Sequence, residues 1–109
     1  MTADFYCDEV LSGKIKGRKV METENVLAYD HTKPFYPDHI VAIPKKHIAS
    51  LITLEEGDNH LLLELLGVIK QVAAKVTREH GVCRVITNIG AYQDSKHLHW
   101  HIVHGRPLR

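Results

Sequence analysis

Cysteine is nearly missing from this chain of 109 residues, with only Cys7 and Cys83 present. Two cysteines cannot make a disulfide framework, so both are expected as thiols in a reducing, cytoplasmic compartment. A surplus of one charge is missing too. Fourteen Lys and Arg face thirteen Asp and Glu, for a formal charge of +1. That excludes a nucleic acid held by a broad basic surface. A small phosphorylated ligand needs only a local site and is not excluded. Long apolar runs are absent as well. The most apolar stretch, Leu61–Ile69, is broken by Glu64 and too short to span a bilayer. The N-terminus has no apolar core of a leader peptide. Neither nucleic acid nor membrane is therefore expected as a partner. There is no internal repeat and no low-complexity segment. The length suits one domain, residues 1–109, around one core.

Histidine is abundant. There are nine, and four of them fall between His97 and His104. In the run His97-Leu98-His99-Trp100-His101-Ile102-Val103 three histidines alternate with apolar residues. A β-strand sends successive side chains to opposite faces. One face would then carry His97, His99 and His101, with neighbouring imidazoles about 6–7 Å apart. Leu98, Trp100 and Ile102 would bury on the other. A structural strand has no need for a row of groups that titrate near neutrality. The run is read as a chemical site.

The rest of the chain supplies a scaffold. Asp8–Gly13 is a possible helical turn. Arg18–Glu22 and Val26–Tyr29 read as a hairpin around Thr23-Glu24-Asn25. Asp30–Asp38, with Pro34 and Pro37, reads as a loop. His39–Ile43 is a third strand, stopped by Pro44. Thr53–Glu56 fits a capping box that starts a short turn, broken at Gly57-Asp58-Asn59. Asp58 or Asn59 then caps a long helix that runs to about His80, with Gly81 as its stop. Leu62, Leu65, Leu66, Ile69, Val72, Ala73 and Val76 form its buried stripe. Leu61 and Leu63 widen that surface, either for a broad core or for a second packing partner. Val82–Thr87 is a fourth strand, Asn88–Lys96 a loop, and His97–His104 the last strand. The fold class is α+β: about five antiparallel strands with one long helix.

Two of these segments together resemble the histidine triad (HIT) family. HLHWHIV fits its pattern of three histidines separated by single apolar residues. Pro37-Asp-His39-Ile-Val-Ala-Ile-Pro44-Lys-Lys-His47 looks like the segment in which the family places a fourth active-site histidine before a proline-lysine turn. Leu27–Asp30 and Asn88 fall in matching places, and the likeness runs from about Asp4 to Arg106. The short length resembles the Hint-like branch, the nucleoside phosphoramidate hydrolases.

The resemblance implies a HIT-like fold and a homodimer that packs its long helices together. It implies a hydrolase that cleaves at the α-phosphate of a purine nucleoside phosphoramidate or related conjugate. His99 would be the nucleophile and form a nucleotidyl-histidine, from which water releases the nucleoside monophosphate. His101 would donate to the phosphoryl oxygens, His39 would close the site from the neighbouring strand, and His97 completes the triad. Asn88 and Gln93 are implied phosphate or ribose contacts, and Phe5, Leu27 and Ile40 implied walls of the base pocket. Where the family often has Asp or Asn for the ribose, this chain has His31, so the ribose contact is expected from His31 or, with a small shift, from Asp30. In the loop before the triad, Asp94 would repel a phosphate.

No cofactor is required for this chemistry. Many bacterial members do carry a structural zinc, and the matching residues here are Asp4, Cys7, His47 and His97. That donor set of one carboxylate, one thiolate and two imidazoles suits tetrahedral zinc. Other readings remain at this stage. A catalytic zinc on His97, His99 and His101 is opposed by their span of about 13 Å. A dinucleoside polyphosphate presents the same α-phosphorus, so a hydrolase of that class is a second alternative. A non-catalytic module for a nucleotide or partner is the third alternative.

Overall fold

The computed structural model describes residues 18–109. The Asp8–Gly13 turn, together with Asp4, Phe5 and Cys7, lies outside the described residues. Five antiparallel strands form one sheet: β1 (Lys19–Glu22), β2 (Val26–Asp30), β3 (Asp38–Pro44), β4 (Arg84–Thr87) and β5 (Trp100–His104). Their order is β1-β2-β3-β5-β4. One helix, α1 (Asn59–His80), packs on one face. This is the α+β architecture that the periodicity predicts.

The sheet has two buried faces because alternate residues of its inner strands are apolar on both sides. Val26, Ala28, Ile40, Ala42 and Ile102 meet the helix. Leu27, Tyr29, Val41 and Ile43 cluster on the other face. Ala28 and Ala42 are register partners, so two small side chains lie together under α1.

The helix buries Leu61, Leu65, Val68, Ile69, Val72 and Val76. This corrects the predicted stripe: Val68 and Leu61 replace Leu62 and Leu66 on the core line, Ala73 is half-buried, and Leu66 is 41% exposed. Glu64 interrupts the apolar run for a structural reason. Its carboxylate accepts hydrogen bonds from Thr23 Oγ1, Asn25 N and Asn25 Nδ2, which ties the helix to the β1–β2 turn. Gly81 ends α1 with φ of +84°, the left-handed region where glycine carries no Cβ penalty. Asp58 stands at the N-cap, but its carboxylate holds Lys46 Nζ (2.7 Å) and Glu55 N (3.2 Å) rather than the helix amides.

Several boundaries differ from the sequence reading. Thr53 is not a cap but the third residue of a 3-10 turn, Leu51–Thr53, and its hydroxyl accepts the Ser50 amide. Gly57 and Asp58 do not break a turn but belong to a second one, Glu56–Asp58. Strand β4 begins at Arg84 rather than Val82.

The most consequential difference is at β5, which begins at Trp100, not His97. Pro44 ends β3 and has no amide to extend the ladder. The chain before Trp100 bonds elsewhere: Leu98 N donates to Ile48 O at 2.6 Å. Alternation nonetheless persists. Leu98, Trp100 and Ile102 pack into the core under the helix.

Candidate active site

His101 sits on β5 opposite Val41 of β3, and His39 sits one pair further along the same face. Their rings approach with His39 Nε2 and His101 Nδ1 2.8 Å apart. The Phe35 amide donates to His39 Nδ1 at 3.0 Å. A backbone amide has only a proton to offer, so His39 carries its own proton on Nε2 and gives it to His101 Nδ1. His101 therefore presents an N–H at Nε2.

His99 lies just before β5, its ring 5.0 Å from that of His101. Its Nδ1 donates to the carbonyl two residues back, His97 O, at 2.7 Å. A carbonyl only accepts, so the proton is on Nδ1 and the lone pair on Nε2.

Burial, at 6% exposure for His39 and 3% for His99, works against a charged imidazole. Desolvation, then the neighbouring His31 and His101, push His39 down to about 3. Desolvation, then His99 and His31, push His101 down to about 4. Burial also lowers His99, against the opposing pull of the His97 carbonyl. All three rings are neutral at pH 7, as the tautomers above require.

His97 is separated from this group. Its side chain is fully buried, donates from Nε2 to Pro44 O at 2.8 Å, and lies with its ring 5.3 Å from His47. What it contributes to His99 is its backbone carbonyl. The reason is the late start of β5: residues 97–99 do not follow the ladder that would have aligned all three imidazoles.

A cleft of about 410 Å³ opens over His39 and His101, with Asn88 and Asp94 on its wall. That is within the usual range for a small-ligand site. Phe35, Tyr36 and Arg109 also line it, and the sequence reading did not include them. The Arg109 guanidinium stacks 4.5 Å over the Phe35 ring and donates to Lys33 O. No spacing or motif singles out these residues.

His31 joins the imidazoles, its ring centroid 4.3 Å from His39. Burial, followed by His99 and Arg109, lowers its proton affinity. Asp30 pairs with Arg18 at 3.1 Å and borders a second cleft of about 320 Å³, shared with His31 and His39. Leu27 is buried on the histidine face of the sheet. Ile40 belongs to the helix-side core and borders the second cleft, because adjacent strand residues cannot share a face with His39. Gln93 is buried and donates to Ala49 O, so it braces the loop instead of lining the first cleft.

A long helix on a five-stranded antiparallel sheet, with imidazoles alternating at the start of a central strand, defines a histidine triad domain. A sequence model of the HIT domain matches residues 12–108. The chain is 35% identical over 100 residues to an uncharacterized HIT-like protein of Chlamydia trachomatis, covering 90% of this chain and 89% of that protein. It superposes on a HIT family hydrolase from Legionella pneumophila with a TM-score of 0.82 at 29% identity, covering 98% and 96% of the two chains. A histidine triad protein from Clostridium difficile gives 0.80 at 34% identity, covering 97% and 93%. The chain belongs to the HIT family.

Proposed function

We propose that this protein is a nucleotide-binding hydrolase of the Hint-like kind, acting on purine nucleoside phosphoramidates or related nucleotidyl conjugates. The observation that carries this reading is the bond from His99 Nδ1 to His97 O, which leaves the His99 lone pair on Nε2. His99 Nε2 attacks the α-phosphorus as the P–N bond breaks, and the amine leaves with a proton taken from solvent. Water then attacks the nucleotidyl-histidine, gives a proton back to solvent and releases the nucleoside monophosphate. Two displacements replace one difficult attack by water on an anionic phosphoryl centre. His101 Nε2–H donates to the phosphoryl oxygens as charge builds there, and His39 holds His101 in that tautomer. Asn88, on the cleft wall, contacts phosphate or ribose, and His31 takes the family's ribose position. The Legionella relative's description as a hydrolase supports the class of reaction.

The same reading makes the protein a cytoplasmic homodimer with a structural zinc on Asp4, Cys7, His47 and His97. The fit of the two described donors is good. The rings of His47 and His97 are adjacent, and the His97 Nε2–H to Pro44 O bond is of the kind that orients a metal-bound imidazole, so Nδ1 would be the ligand atom. The ion would clip the N-terminus to the segment before β5 and takes no part in the steps above.

The test is release of AMP from adenosine 5′-phosphoramidate by wild type, His99→Ala and His101→Ala, with and without a chelator. Wild-type turnover should survive chelation. His99→Ala should be inactive, and His101→Ala slower by about 10²–10³-fold, the usual effect of losing one such donor. Equal AMP release by His99→Ala sinks the mechanism, and AMP binding without turnover in wild type makes the protein a binding module.

A further inference from the structure

A second histidine cluster lies away from the cleft, on the helix side of the sheet. Asp38 opens β3 and His104 closes β5, and the two are register partners. His80 is the last residue of α1. Three elements thus converge on one point. Asp38 Oδ2 is 2.9 Å from His104 Nδ1 and 3.2 Å from His80 Nε2. The two imidazoles stack with centroids 4.0 Å apart and planes 9° from parallel. One donor atom from each residue lies within 4.8 Å of the others. No step of the hydrolysis uses any of these side chains.

We propose that Asp38, His80 and His104 form a binding site for a divalent transition-metal ion of the zinc class. Zinc bonds of about 2.0–2.2 Å in a tetrahedron set neighbouring donor atoms roughly 3.3–3.5 Å apart. The two separations from Asp38 Oδ2 need to open by only a few tenths of an ångström, and the two imidazole nitrogens lie within 4.8 Å of each other. Each imidazole then moves its proton to its other nitrogen. The side chains are 26–39% exposed, so solvent can relay each proton from one ring nitrogen to the other and supply a water as the fourth ligand. Glu79 Oε2, 3.9 Å from His80 Nε2, is a second source of that ligand. Two imidazole donors select against magnesium and calcium, which take oxygen ligands. The site also sits at the C-terminus of α1, where the partial negative charge of the helix end favours a cation.

The ion clips the end of α1 to β3 and β5, one residue from His39. Its effect is on stability through mass action, because it binds the folded arrangement of three elements that the unfolded chain lacks.

The experiment is calorimetric titration of the full chain with zinc chloride, comparing wild type with His80→Ala and Asp38→Asn. Each variant should bind one equivalent less than wild type. A His47→Ala variant should keep this equivalent, which separates it from any ion at His47 and His97. A His31→Ala variant should also keep it, which separates it from the His31, His39 and His101 group. Magnesium chloride should give no heat of binding. Undiminished zinc stoichiometry in His80→Ala and Asp38→Asn overturns the proposal. Nitrogen NMR of the wild-type rings makes the test independent of how the variants fold. Zinc should shift His104 Nδ1 and His80 Nε2, and unmoved signals there at saturating zinc also overturn it.

Discussion

At the scale of single residues, the proton of each imidazole is placed by a group that can only donate or only accept. The Phe35 amide orders His39, His39 orders His101, and the His97 carbonyl orders His99. This chain works only while the rings are neutral. With His39 held at about 3 and His101 at about 4, they stay neutral well below the ordinary imidazole range near 6.5. The sign for stability follows from linkage. Between pH 6.5 and about 4 the unfolded chain takes up protons that the folded rings refuse. Stability from these groups is thus whole above pH 6.5 and drains as pH falls toward 4. The expected outcome is a melting temperature that falls over that window, while kcat/KM shows no break near 6.5 and declines only at lower pH, because burial lowers His99 as well as His101. A pH–rate profile and a parallel melting series check this, and a break in kcat/KM at 6.5 would contradict it.

At the scale of elements, the histidine run was legible as a strand with one apolar face, and Leu98, Trp100 and Ile102 do enter the core. The point at which the strand begins was not legible. It depends on Pro44 of a strand 53 residues away from His97, whose carbonyl receives the His97 ring in place of a ladder bond. Periodicity carries no such long-range term. The loop between β4 and β5 was equally opaque. Asn88 and Asp94 reach the cleft and Gln93 turns inward, a choice that three-dimensional packing makes among similar polar residues. Asp94 is exposed at the cleft and places a negative charge beside the expected phosphate. Asp94→Asn should lower KM for adenosine 5′-phosphoramidate by roughly 2–10-fold at low salt and less at high salt, as screening of a partly exposed charge requires. An unchanged KM at both ionic strengths would place the phosphate away from Asp94.

At the scale of the whole molecule, α1 leaves apolar surface over: Leu63 is 71% exposed and Leu66 41%. Strand β4 closes one end of the sheet with Val85 40% exposed. An exposed apolar helix face and an open strand edge each suit burial against a second copy. The surplus leucines were visible in the sequence, but only the packing of Leu61 and Val68 into the core reveals which leucines are left outside. Sedimentation should find wild type as a dimer and the double variant Leu63→Asp, Leu66→Asp as a monomer. A wild type that stays monomeric at high concentration would remove the dimer from the account. Among the described residues no helix is long and apolar enough to cross a membrane.

The central claim is that hydrolysis passes through a covalent bond between His99 and the α-phosphorus. The most direct test is the stereochemical course at phosphorus, read with one diastereomer of an adenosine 5′-phosphorothioamidate hydrolysed in oxygen-18 water. Two successive in-line displacements, by His99 and then by water, predict net retention of configuration in the adenosine phosphorothioate. Net inversion would mean a single direct attack by water and would contradict the account.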